Sequence, residues 1–247
     1  MTVVTNEIPE VIVDQSRLEA LIPEICDQPS YAVDTEFHRE RTYYPKVALV
    51  QVNWGAGMAL IDPLAVSLEP LAEVLAGPGL AVMHASGQDL EVLVRSCDTL
   101  PTRLFDTQIA AGFTGLRSPS LASLHDRLLG IRIPKGDRLT DWLRRPLGDA
   151  QLEYAASDVR HLLEIHRLLE ADLAARGRLT WAEDECRDML QRGRTQRDPE
   201  TAWLKIKETR HLGKRSRGVA QAAVSYTHLT LPTMSTTCGG GGGGGGG

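Results

Sequence analysis

The sequence predicts an α/β protein built on a mixed β-sheet flanked by helices. Short apolar runs bounded by turn residues alternate with helical patterns, and the first three runs follow one another too closely to be joined by crossovers. YAVDTEF (31–37), VALVQVNW (47–54), MALID (58–62) and LAVMH (80–84) read as strands. Turn residues at Tyr44-Pro45 and Gly55-Ala56-Gly57 suit antiparallel links among the first three. A helix near Leu68 to Leu75 precedes the fourth strand and suits a crossover. Further helices are expected over Gln88–Ser96, Leu121–Leu129 and Asp149–Arg176, the last long and periodic. No internal repeat occurs.

Composition bounds the function. Of 247 residues, 42% are hydrophobic and 24% charged, which excludes a disordered, collagenous or disulfide-stapled chain. No run of eighteen apolar residues occurs, and the amino-terminal MTVVTNEIPEVIVDQS is acidic where a secretory signal is basic. A cytoplasmic, non-membrane protein is expected. Cys26, Cys97, Cys186 and Cys238 are too widely spaced for a zinc knuckle or a redox pair. His84, His161 and His166 show no zinc-helix spacing either, and read as packing residues.

Charge divides the chain in three. Residues 195–224 hold seven bases against three acids, and residues 225–247 hold no charged side chain, so residues 1–194 carry −9 of the overall −5. The first segment reads as the principal domain. The second reads as either a solvated helix or a nucleic-acid-facing element. The third, SYTHLTLPTMSTTCGGGGGGGGG, is foreign in composition to the rest; it reads as a non-native, disordered tail, with a flexible linker as the alternative.

Asp34 and Glu36 lie two apart in a strand pattern, so both carboxylates project from one face about 6 to 7 Å apart, an arrangement suited to a hard cation. Asp-x-Glu recurs at Asp89/Glu91 and Asp198/Glu200, so the pair carries weight only if it is buried, where carboxylates need a partner or a metal. Tyr154 and Asp158 stand four apart on a helix and share one side, away from the charged face of Glu153, Arg160, Glu164 and Arg167. Asp89 opens a helix after the Ala-Ser-Gly turn; alone, it suits a cap or a favourable interaction with the helix dipole. Asp106 in LFDTQIAA also precedes a helix and suits a cap.

The ordered set Asp34, Glu36, Asp89, Tyr154 and Asp158 resembles the DEDD superfamily of 3′-5′ exonucleases, in its tyrosine subgroup. YAVDTEFHRERTYYPKVALVQV, HASGQDLEVL, LFDTQIAAGF, KGDRLTDWLRRPL and QLEYAASDVRHLLEIH are similar, in that order, to the ribonuclease D family. The histidine subgroup requires His at position 153, which is Glu. The resemblance covers residues near 10 to 215 and implies a ribonuclease H-like sheet. It also implies that residues 195–224 are the opening of a truncated helical domain of the helicase-and-ribonuclease-D carboxy-terminal (HRDC) type.

The same resemblance implies an enzyme: a 3′-5′ exoribonuclease that releases mononucleotides from RNA 3′ ends and processes transfer-RNA 3′ ends. Phosphodiester hydrolysis needs negative charge neutralised, water deprotonated and an alkoxide stabilised, and two divalent ions about 3.5 to 4 Å apart meet all three needs. Mg2+, with Mn2+ as the alternative, suits an all-oxygen ligand set. By the resemblance, Asp34 bridges two ions, Glu36 and Asp158 complete the nucleophile-side ion, Asp89 holds the other through water, and Tyr154 orients the attacking water. Tyr154 has a phenol with an ordinary pKa near 10, so positioning suits it better than general-base work.

The expected partner is RNA with a free 3′ end, transfer-RNA precursors above all, bound by a monomer. Candidate substrate contacts are Phe37, Tyr43 and Tyr44 for base stacking, and Arg39, Arg41, Lys46, Arg138, Arg144 and Arg145 for phosphates. A DNA-directed exonuclease on the same scaffold and a catalytically silent RNA-binding module are the alternatives, since nothing in the motifs reads a 2′-hydroxyl.

Overall fold

Six strands form one sheet in the computed structural model, which describes residues 8–39, 44–133, 140–194, 213 and 215–222. They are β1 (Glu10–Ile12), β2 (Ser30–His38), β3 (Lys46–Asn53), β4 (Met58–Ile61), β5 (Leu80–Met83) and β6 (Arg103–Asp106), in the spatial order β1-β4-β3-β2-β5-β6. β2, β3 and β4 pair antiparallel, whereas β2 with β5, β5 with β6 and β1 with β4 pair parallel. The four strands expected from the sequence are β2 to β5, with the expected pairing. β1 and β6, three and four residues long, are additional.

The helices are α1 (Gln15–Cys26), α2 (Leu71–Ala76), α3 (Gly87–Cys97), α4 (Thr107–Phe113), α5 (Leu121–Leu124), α6 (Asp149–Arg160), α7 (Leu162–Ala175) and α8 (Leu179–Arg194), with a π-helical turn over His125–Leu129 continuing α5. α1 buries Leu18, Leu21, Ile22 and Ile25, a 3-4 spacing, and the Asp14 carboxylate caps it by accepting from Arg17 N at 3.0 Å.

The expected single helix over Asp149–Arg176 is two helices. α6 ends at Arg160, and His161 leaves helical geometry at φ −110°, ψ 6°. The cause lies on another strand. Asn53 of β3 donates through Nδ2 to the carbonyls of Val159 and Arg160, both at 3.0 Å, and so satisfies acceptors that the end of a helix leaves without partners. A cap supplied from 106 residues away carries no mark in helical periodicity.

The two faces of the sheet differ. Tyr31, Val33, Val50, Val52, Ile61 and Met83 join the largest core with the apolar sides of α1, α2, α3 and α8. On the opposite face, Ala32 and Val82 pack with Val159 and Leu162, while Leu49 and Leu60 pack with Trp142 and Ala155. α6 therefore lies across β2, β3 and β4 on the face from which Asp34 and Glu36 project.

The chain divides into two units, Met1–Arg194 and Thr195–Gly247. In the second, residues 215–222 are helical. The rest of the segments expected at 195–224 and 225–247 lies outside the described residues, apart from position 213. Among the described residues, no helix is long and apolar enough to cross a membrane. Cys26, Cys97 and Cys186 are free thiols, the last two buried.

The β3–β4 turn is shaped by glycine for a steric reason. A Cβ on Gly57 would meet Cζ2 of the buried Trp54 ring at 2.5 Å, inside van der Waals contact, and Trp54 N donates to Gly57 O at 3.0 Å. Gly57→Ala should therefore destabilise the fold by about 1 to 3 kcal/mol, read as a lower urea midpoint with an unchanged slope. A midpoint equal to wild type would show that the ring moves aside freely.

Candidate active site

β2 supplies two carboxylates from one face, and a bulge sets their aim. Asp34 lies opposite Gln51 and Glu36 opposite Leu49, but Phe37 lies opposite Val47, so Ala48 is an extra residue in β3 beside Glu36. Such a bulge locally re-aims side chains and raises the twist. α6 supplies the third group. One carboxylate oxygen each from Asp34, Glu36 and Asp158 lie within 4.8 Å of one another. Among the described residues, this is the one group of three or more His, Cys, Asp or Glu side chains close enough to share an ion.

Asp89 stands beside that trio without joining it. It occupies the first turn of α3, is 8% exposed, and accepts a 2.5 Å hydrogen bond from Thr35 Oγ1. Thr35 alternates away from Asp34 and Glu36, so β2 contributes to the acidic centre from both faces.

Electrostatics shows the strain of this assembly. Loss of water raises the Asp34 pKa well above the ordinary carboxylate range, and the charges of Asp89, Asp158 and Glu36 raise it further, in that order; the Thr35 backbone N–H pulls it down. Desolvation likewise lifts Asp89 to about 6, against the lowering effect of the Thr35 hydroxyl. Carboxylates crowded in this way favour either protons or a cation. The donors are all hard oxygens, which suits Mg2+ or Mn2+ and not a soft metal.

Tyr154 lies one helical turn before Asp158 on α6. Its ring centroid is 6.1 Å from that of Trp142, with the planes tilted by 37°. Trp142 is held in turn by its neighbour Arg145. The Arg145 guanidinium meets Asp62 through Nε at 2.5 Å and Nη2 at 2.7 Å, and donates to the carbonyls of Trp142 and Ala48, each at 2.7 Å. Arg145, a candidate phosphate contact in the sequence, is instead a clamp between the 140–147 segment and the sheet, because Asp62 is buried and needs its cation.

The remaining substrate candidates divide by what they touch. Phe37 is partly exposed at the end of β2, with the Arg39 guanidinium 5.7 Å from its ring centroid. Arg39 also pairs with Glu91 of α3 at 2.6 Å. One face of Tyr44 is covered by the Arg95 guanidinium, 3.6 Å from the ring centroid. Lys46 and Arg144 are exposed. Arg41, Tyr43 and Arg138 lie outside the described residues. Thr35, Trp142 and Arg145 are contributors that spacing does not reveal, since each acts through a residue remote in sequence.

A half-buried acidic trio, a fourth carboxylate beside it and a tyrosine one turn away, on a mixed α/β sheet, form a ligand set suited to metal-dependent phosphodiester hydrolysis. The family model described as 3′-5′ exonuclease matches residues 9–174, a span that contains all five of these residues, and the chain belongs to that family. Within it, the chain is similar to ribonuclease D. It is 40% identical over 215 residues to ribonuclease D of Escherichia coli strain K12, covering 86% of this chain and 57% of that protein. It is 38% identical over 206 residues to ribonuclease D of Zymomonas mobilis, covering 81% and 53%. The crystal structure of Escherichia coli RNase D, titled an exoribonuclease involved in structured RNA processing, superposes with a TM-score of 0.84 at 38% identity, over 88% of this chain and 59% of that one. The chain thus spans little more than half the length of the curated relatives it matches.

The raised carboxylate pKa values have a measurable sign. A folded-state pKa above the unfolded value means that the folded state holds the proton more tightly, so the contribution of Asp89 to stability is present below pH 4 and is lost as pH rises through about 6. In EDTA, the melting-temperature advantage of Asp89→Asn over wild type should be about 5 °C larger at pH 7.5 than at pH 4.5. A difference that stays flat across that range would remove the electrostatic account.

Proposed function

We propose that the chain is a metal-dependent 3′-5′ exoribonuclease that releases mononucleotides from RNA 3′ ends. Its substrates are RNAs with free 3′ ends, transfer-RNA precursors among them, and it works as a cytoplasmic monomer. One observation carries the reading: the convergence of Asp34, Glu36 and Asp158 from a strand and a separate helix onto one point. Family membership and the likeness to ribonuclease D agree with it.

Asp34, Glu36, Asp89 and Asp158 are the residues that would hold two divalent ions, Mg2+ with Mn2+ as the alternative. Such ions supply a lowered pKa for water and charge neutralisation on the phosphate and the leaving oxygen. The protein's own contributions are positional. Tyr154, braced by Trp142, presents a phenol that would orient water by hydrogen bonding. Asp89, tied to Thr35, stands slightly apart from the trio, which suits contact through water.

RNA must approach an acidic body, so local cations matter. Arg39 is half exposed, and its ion pair with Glu91 is of the surface kind worth about 0 to 1 kcal/mol, so a phosphate can displace the carboxylate. Phe37 beside it offers a ring for a terminal base. Tyr43, Tyr44 and Arg138 complete the proposed substrate contacts. The opening of an HRDC-type helical domain in residues 195–224, followed by a non-native tail, completes the proposed organisation.

The test uses the full chain with Mg2+ and end-labelled single-stranded RNA or DNA bearing a free or blocked 3′ end. Stepwise mononucleotide release from free-ended RNA is expected. Asp34→Ala should lower that rate by roughly 1,000-fold or more, and Tyr154→Phe by roughly 10- to 100-fold. Preference for DNA would replace the reading with a DNA exonuclease. RNA binding without release would replace it with a catalytically silent binding module.

A further inference from the structure

Asp106 is fully buried and closes β6, where the sequence suggests nothing beyond a helix cap. It does cap α4, its Oδ1 accepting from Gln108 N at 2.8 Å and Ile109 N at 3.2 Å. Its other contacts reach a different part of the chain. Oδ1 also accepts from Ala85 N at 3.2 Å, and Oδ2 accepts from Ser86 N at 2.7 Å and Ser86 Oγ at 2.8 Å. Capping α4 uses Oδ1, which also serves Ala85, and Oδ2 is spent wholly on Ser86.

Ala85 and Ser86 form the turn between β5 and α3. Ala85 has φ +55°, a left-handed conformation that a residue with a Cβ adopts only when its surroundings hold it there. The two successive N–H groups point at one carboxylate, the arrangement of a backbone anion nest. Ser86 is itself fully buried, its hydroxyl also meeting Met189 Sδ at 3.2 Å. The next residue of β6–α4, Thr107, adds a second tie by donating to Met83 O at 3.0 Å, and its Oγ1 lies 2.9 Å from His84 Nδ1.

α3 begins at Gly87, and Asp89 sits in its first turn. Ser86 therefore fixes the origin of the helix, and three residues of rigid helical rise carry that origin to the Asp89 carboxylate. We infer that Asp106 is a positioning residue for the active site: by locking the Ala85–Ser86 turn, through Oδ1 at Ala85 and Oδ2 at Ser86, it sets where Asp89 stands relative to Thr35 and Asp34. This rests on the assignment of Asp89 as a metal-holding residue in the function proposed above.

The test compares full-length wild type, Asp106→Asn, Ser86→Ala and Ile22→Ala, the last a core variant on α1 that matches a stability loss without touching the turn. In Asp106→Asn, one oxygen can still cap α4, but an NH2 group replaces the other and opposes an N–H donor at one end or the other. Binding of Mn2+ without RNA is followed by the electron paramagnetic resonance of the free ion. The Mn2+ concentration for half-maximal nucleotide release and the KM for RNA are measured separately.

Asp106→Asn should weaken Mn2+ binding and raise the half-maximal concentration by roughly 10- to 100-fold, with the KM for RNA changed less than about 3-fold. Ser86→Ala, which removes one donor and is the milder change, should shift both metal readouts in the same direction by about 3-fold, and it supplies the test if Asp106→Asn does not fold. Ile22→Ala should leave them within about 2-fold. Unchanged Mn2+ binding in a folded Asp106→Asn or Ser86→Ala, or an equal shift in Ile22→Ala, would overturn the inference. If wild type releases no nucleotide, the proposed function fails, while the resonance titration still decides whether Asp106 governs the metal site.

Discussion

The structure depends on one costly juxtaposition: partly buried carboxylates held within a few ångströms of one another. Asp34 carries the burden, partly buried and surrounded by Asp89, Asp158 and Glu36, each of which makes its ionisation harder. A fold left to maximise its own stability would separate these groups, since isolated buried charge is expensive. Their convergence is tolerable where a cation neutralises them, so the feature that burdens the free protein is the one that would equip it for the proposed phosphodiester chemistry.

Much of the surrounding architecture can be understood as holding that point in place. The bulge at Ala48 adjusts Glu36 within the sheet. Asn53 ends α6 two residues after Asp158, so the helix bearing Tyr154 and Asp158 is tied directly to β3. Arg145 closes on Asp62 and on the carbonyl of Ala48, and so seats Trp142 against Tyr154. These anchors are polar and geometrically specific, whereas the apolar core on the far side of the sheet supplies bulk stability without fixing any reacting atom.

The strands β2 to β5 were legible in the amino-acid order because alternation and turn residues are written locally, whereas the acidic set was legible only through its ordered resemblance to the DEDD exonucleases, Asp89 alone reading as a cap. α1 also carries its signal locally, in Leu18, Leu21, Ile22 and Ile25. Other features are not local. The break at His161 depends on Asn53, the orientation of Asp89 on Thr35 54 residues earlier, and the fate of Arg145 on the burial of Asp62. Arg145 looks like a phosphate contact in sequence because charge alone does not say which carboxylate the fold will place beside it. α8 exposes a further limit: its buried positions Ala182, Cys186 and Leu190 lie in an otherwise polar stretch, so its apolar stripe is narrow.

Diffraction from crystals of the full chain grown with Mn2+, recorded where manganese scatters anomalously, addresses the acidic centre most directly. An anomalous peak should lie within bonding distance of a carboxylate oxygen from each of Asp34, Glu36 and Asp158. Ordered Mn2+ elsewhere in the crystal with no peak among these three side chains would contradict the account.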